Sequence, residues 1–90
     1  MNEVVCHGIP SDDKVLKNGD IVNIDVTVIK DGFFGDNSKM YWVGEPSIKA
    51  KRLCEVTLES LYIGLRTVKA GIRLNQIGRN IQQYVESRGC

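Results

Sequence analysis

The chain is 90 residues long, 42% hydrophobic and 26% charged, an ordinary composition for one small globular domain and unlike that of a disordered or fibrous protein. Twelve basic against eleven acidic residues leave a net charge of +1, which gives no general case for binding nucleic acid or an anionic membrane surface. No stretch approaches the roughly 20 apolar residues of a membrane span. Met1-Asn2-Glu3 opens no secretory signal, so export is not expected.

The opening segment contains Cys6-His7-Gly8-Ile9-Pro10, a loop in which Gly8 and Pro10 constrain the backbone beside the one histidine of the chain. A neutral imidazole both donates and accepts, so His7 is a candidate for contacting a substrate amide or passing a proton; a solvated loop histidine is the plainer alternative. Cys6 is a poor nucleophile partner for it, because adjacent residues of an extended segment point to opposite faces. Cys6, Cys54 and Cys90 form no CxxC pair and are odd in number, which fits a reducing compartment.

From Asp20 to Val43 the apolar residues recur with a period of two. The run Ile21 to Ile29 is rich in β-branched residues, follows the turn-forming Asn18-Gly19, and ends before Asp31-Gly32, a strong two-residue turn signal. It predicts an antiparallel hairpin whose second strand covers about Phe33 to Val43. Val22, Ile24, Val26 and Val28 form one apolar side expected to pack, and Phe33, Phe34, Tyr41 and Trp42 are expected to join a core. Asn23, Asp25 and Thr27 lie on the other side.

With Asp31-Gly32 as the turn, Asp36 falls opposite Thr27 and on the face of Asp25, the two aspartates being diagonal neighbours with Cβ atoms about 7 Å apart or less. Two carboxylates so placed repel, and one or two divalent cations between them would relieve the repulsion. The alternative is an aspartate solvated on an open sheet beside a turn residue next to Gly35.

After Pro46 the period changes to that of helices. Ser47 is a candidate N-cap, and Cys54, Leu58, Leu61, Leu65 and Val68 line one face of a helix expected to stop near Ala70-Gly71. A second helix carries Leu74, Ile77, Ile81 and Tyr84 or Val85 inward and Arg73, Arg79 and Arg88 outward, ending at Gly89. Gly64 and Gly78 within these patterns suggest close approach of a neighbouring element. Charge divides with the change of period: Met1 to Pro46 holds eight acidic residues and four lysines, Ser47 to Cys90 three acidic and eight basic.

Three segments taken together resemble the bacterial type I methionine aminopeptidases: Asn2-Glu3-Val4-Val5-Cys6-His7-Gly8-Ile9-Pro10, Leu16 through Thr27, and Asp31-Gly32-Phe33-Phe34-Gly35-Asp36. The resemblance runs on through Arg52-Leu53 and the helix to Gly71-Ile72. It implies an α+β fold in which residues 1–90 are a single partial catalytic domain, about one repeat of the pita-bread aminopeptidase fold, an antiparallel hairpin followed by two helices. It implies that Asp25 chelates one cation, that Asp36 bridges two, and that His7 binds the substrate peptide and takes part in catalysis. The reaction implied is removal of the initiator methionine from nascent polypeptide N-termini by water activated at two divalent ions (Co, Mn, Fe or Zn). A cytoplasmic, ribosome-proximal enzyme that is monomeric when complete, with no nucleic-acid or membrane partner, goes with it.

Phe34 stands where relatives commonly have His, and Asn37 where they vary. The family's remaining ligands, one His and two Glu, its second catalytic His and its general-base Glu find no counterpart in this sequence. The chain is therefore expected to be part of such an enzyme and inactive by itself. Two other readings are a fragment of a proline-specific pita-bread peptidase and a non-catalytic interaction module of the same fold.

Overall fold

The computed structural model describes residues 1–90 in the order β1 (Ile21–Lys30), β2 (Phe33–Trp42), α1 (Ile48–Thr67) and α2 (Asn75–Ser87). The chain divides into two compact units, Met1–Ser47 and Ile48–Cys90, within one residue of where the hydrophobic period changes and the net charge turns from negative to positive.

In the first unit β1 and β2 form a two-stranded antiparallel sheet with Ile21 opposite Trp42 and Lys30 opposite Phe33. Asp31 and Gly32 both have positive φ, 52° and 81°, as the two-residue turn that matches the strand twist requires. The second strand ends one residue before the expected Val43. Pairing nonetheless continues through Val43, whose N–H donates to the Asp20 carbonyl at 2.9 Å and whose carbonyl accepts from Gly19 N–H at 2.7 Å.

The expected packing of the sheet is not found in this unit. Ile24, Val26 and Val28 are each about half exposed, and Phe33, Phe34, Tyr41 and Trp42 are exposed rather than core residues, Phe33 at 81%. One two-stranded layer has no second layer within the unit to bury its faces.

The segment leading to His7 is tied to the start of β1 through Asn2. Its backbone N–H donates to the Ile21 carbonyl (3.0 Å), its side-chain oxygen accepts from Ile21 N–H (3.0 Å), and its side-chain amide donates to Asp20 Oδ1 (2.9 Å). Lys17 N–H donates to the other carboxylate oxygen of Asp20 at 2.9 Å. These bonds, that from Asn2 first and that from Lys17 next, hold the Asp20 carboxyl below its ordinary value of 3.8.

In the second unit α2 packs along α1, but not on the expected leucine stripe. Leu58, Leu61, Leu65 and Val68 remain exposed, and only Cys54 of that stripe is buried. The adjoining stripe of Val56, Ser60 and Gly64 is buried instead, and at Gly64 the missing side chain admits Ile81 of the partner helix. A Cβ placed on Gly64 would lie 2.7 Å from Ile81 Cδ1 and 3.2 Å from Ile81 Cγ1. Farther along, Asn80 Nδ2 donates to Thr67 Oγ1 at 3.0 Å, and the Tyr84 hydroxyl donates to the Glu59 carboxylate.

Ile77, Ile81, Tyr84 and Val85 are half-buried as expected, whereas Leu74, preceding α2 with helical backbone angles, is 84% exposed. Gly78 has no atom within 4 Å of the Cβ it lacks, so the close approach expected there is absent. α1 ends at Thr67, earlier than Ala70-Gly71, with Val68 N–H closing a tighter bond to the Leu65 carbonyl. No helix is long and apolar enough to cross a membrane.

Two outcomes follow from this packing. Gly64→Leu is expected to lower stability by about 1–3 kcal/mol in urea unfolding, because the added side chain meets Ile81 where no space remains. Since the folded value of Asp20 lies below 3.8, its stabilising contribution is full above that pH and is lost as pH falls through the lowered value. Acid titration followed by the Asn2 side-chain amide resonances is expected to show release of the N-terminal segment in that range, and Asp20→Asn to remove the transition.

Candidate metal site

Strand alternation and register together decide which side chains share the polar face. Thr27 lies opposite Asp36, Asp25 opposite Ser38, and Asn23 opposite Met40. Asp25 and Asp36 therefore occupy one face as diagonal neighbours, as the turn assignment predicts. On the neighbouring diagonal the Ser38 hydroxyl donates to Asn23 Oδ1 at 2.8 Å, so side chains in this relation reach one another directly.

Thr27 Oγ1 donates to Asp36 Oδ1 at 2.9 Å, which orients that carboxylate and leaves its second oxygen unused. The Asp25 carboxylate takes no hydrogen bond from another side chain, and neither aspartate has an ion-pair partner. Lys39, the cation within β2, belongs to the opposite face by register and sits over the Tyr41 ring, 5.4 Å from its centre. Two like charges thus share one face with no positive group to balance them.

His7 lies in an exposed loop with φ of 52°, a left-handed backbone conformation uncommon outside glycine but visited by histidine more than by bulkier residues. It makes no hydrogen bond to Asp25 or Asp36. No three His, Cys, Asp or Glu side chains come together as a metal-holding group, so the structure joins the two aspartates but does not add His7 to them. Cys6 and Cys90 are exposed and Cys54 is buried, all three as free thiols.

The donor chemistry fits a hard or borderline divalent cation. Carboxylate oxygens are the ligands such ions prefer, and a cation bridging the diagonal would supply the missing countercharge. It fits as part of a site, since two carboxylates leave most coordination positions unfilled. Reading the residues in order places Asn23, Asp25 and Thr27 on one face with Asp36 opposite Thr27, but does not single out Ser38 or its bond to Asn23. The signal was available in the same register, which puts a hydroxyl directly opposite Asp25.

A family model described as metallopeptidase family M24 matches residues 1–90. The chain is 72% identical over 89 residues to the methionine aminopeptidase of Haemophilus influenzae, covering 98% of this chain and 33% of that protein. It is 66% identical over 89 residues to the methionine aminopeptidase of Escherichia coli K12, covering 99% and 34%. The crystal structure of methionine aminopeptidase from Rickettsia prowazekii superimposes with a TM-score of 0.88 at 58% identity, over 92% of this chain and 33% of that one. The chain spans about a third of the length of the curated relatives it matches. Its hairpin followed by two helices is a partial domain of the α+β pita-bread fold, and the chain belongs to metallopeptidase family M24.

Proposed function

We propose that residues 1–90 form part of the single catalytic domain of a methionine aminopeptidase, a metalloexopeptidase that removes the initiator methionine from the N-termini of nascent polypeptides. The observation that carries this reading is the Asp25–Asp36 diagonal, two carboxylates on one face with no countercharge from the chain. Relatives of 66–72% identity bear that name, which favours methionine over a proline-specific substrate.

In this reading Asp25 and Asp36 would hold divalent ions, two in the complete site. When bound, such ions polarise the scissile carbonyl and activate water at neutral pH. Asp25 contributes two unencumbered oxygens. Thr27 holds Asp36 in one orientation through its hydroxyl, so that carboxylate need not reorganise when charge is placed beside it. His7, exposed and tied to the sheet through Asn2, offers one donor and one acceptor to the peptide beyond the scissile bond. The setting proposed is the cytoplasm near the ribosome, with a monomeric complete enzyme and no membrane or nucleic-acid partner.

In the intact protein, Asp25→Ala and Asp36→Ala are each expected to reduce hydrolysis of a Met-Ala-Ser peptide more than about 100-fold, beyond what losing a residue that only supports a ligand removes. A chelator is expected to abolish turnover and Mn(II) to restore it. The 90-residue chain alone, lacking a third ligand group, is expected to show no turnover with Mn(II) or Co(II). Activity of that chain that disappears in Asp25→Ala would overturn this last expectation.

A further inference from the structure

Two hydroxyls face the two carboxylates across the sheet, and they are used differently. Thr27, opposite Asp36, donates to Asp36 Oδ1. Ser38, opposite Asp25, turns away and donates to Asn23 Oδ1 at 2.8 Å. A serine hydroxyl has one hydrogen to give, and an ionised carboxylate is ordinarily the stronger acceptor. Ser38 is nevertheless not bonded to Asp25. Asn23 presents its carbonyl to Ser38 because its amide is engaged on the far side, Nδ2 donating to Met40 Sδ at 3.4 Å.

We propose that Asn23 is a positioning residue for Asp25: by accepting the Ser38 hydroxyl it keeps that hydroxyl off the carboxylate and leaves both Asp25 oxygens to a divalent cation. The proposal rests on the reading that Asp25 and Asp36 ligate metal. Without Asn23, Ser38 is free to bond Asp25, and a cation must then compete with that bond for the carboxylate's lone pairs. Met40 has a role at one remove, holding the Asn23 amide so that its oxygen faces Ser38. The arrangement makes the two ligands unequal. Asp36 is oriented by a hydroxyl bonded to one of its oxygens, while Asp25 carries no such bond.

The test is a cycle in the intact protein, with Mn(II) affinity measured by isothermal titration calorimetry. Asn23→Ala made alone is expected to weaken Mn(II) binding about tenfold, the scale of a hydrogen bond to a charged group. The same substitution made together with Ser38→Ala is expected to cost no more than twofold relative to Ser38→Ala, because the competing donor is gone. Equal weakening in both backgrounds, or no weakening in the first, would overturn the proposal, since a merely structural loss would not be rescued. Asn23→Leu, which fills the same volume, repeats the cycle should Asn23→Ala fail to fold, with the same rescue required. Asp25→Ala and Asp36→Ala measured alongside separate the two levels: unchanged Mn(II) binding in both would remove the underlying metal reading, whereas loss there without rescue in the cycle removes only the role of Asn23.

Discussion

Both residues of the turn between the strands, Asp31 and Gly32, have positive φ, and that conformation dictates which residue of β2 faces which residue of β1. A longer or differently shaped turn would move the pairing by a residue. Because side chains alternate along a strand, a one-residue slip would carry Asp36 to the face of Val26 and leave Asp25 with no acidic neighbour. The acidic diagonal, the Thr27–Asp36 bond and the Asn23–Ser38 bond are all consequences of this one register.

The polar face is ordered by short side chains. Asn, Ser, Thr and Asp reach across one strand spacing with few rotatable bonds, so two direct bonds hold the frame around the carboxylates without long flexible groups. Positive charge is held away, with Lys39 over Tyr41 on the opposite face. The result is a surface with negative charge and little freedom to rearrange. Such a surface favours a cation because the cost of bringing the like charges together is already met by the backbone pairing.

The second unit is built on a different principle. Ser60 and Gly64 allow the helices to approach closely, so the contact depends on missing side-chain volume more than on large apolar groups. The leucines of α1 stay exposed, as do the valines and aromatics of the sheet. A lone two-stranded sheet is marginal in water, and contiguous exposed apolar surface marks places where further packing adds stability. These faces belong to a chain that spans about a third of its curated relatives.

Residue order alone was enough to read the hairpin, its turn, the two helices and the shared face of Asp25 and Asp36, because period, turn chemistry and alternation are local rules. It also carried the family resemblance, through segments around His7, Asp25 and Asp36. It misread what packs: Leu58, Leu61 and Leu65 have the spacing of a buried stripe, yet α2 lies against Ser60 and Gly64. Periodicity shows that a face is apolar but not which neighbour will cover it, whereas close approach is decided by the shapes of two elements at once. In the same way, register placed Ser38 opposite Asp25, but only the assembled sheet made Asn23 the acceptor of its hydroxyl, since a choice between two acceptors depends on distances across strands.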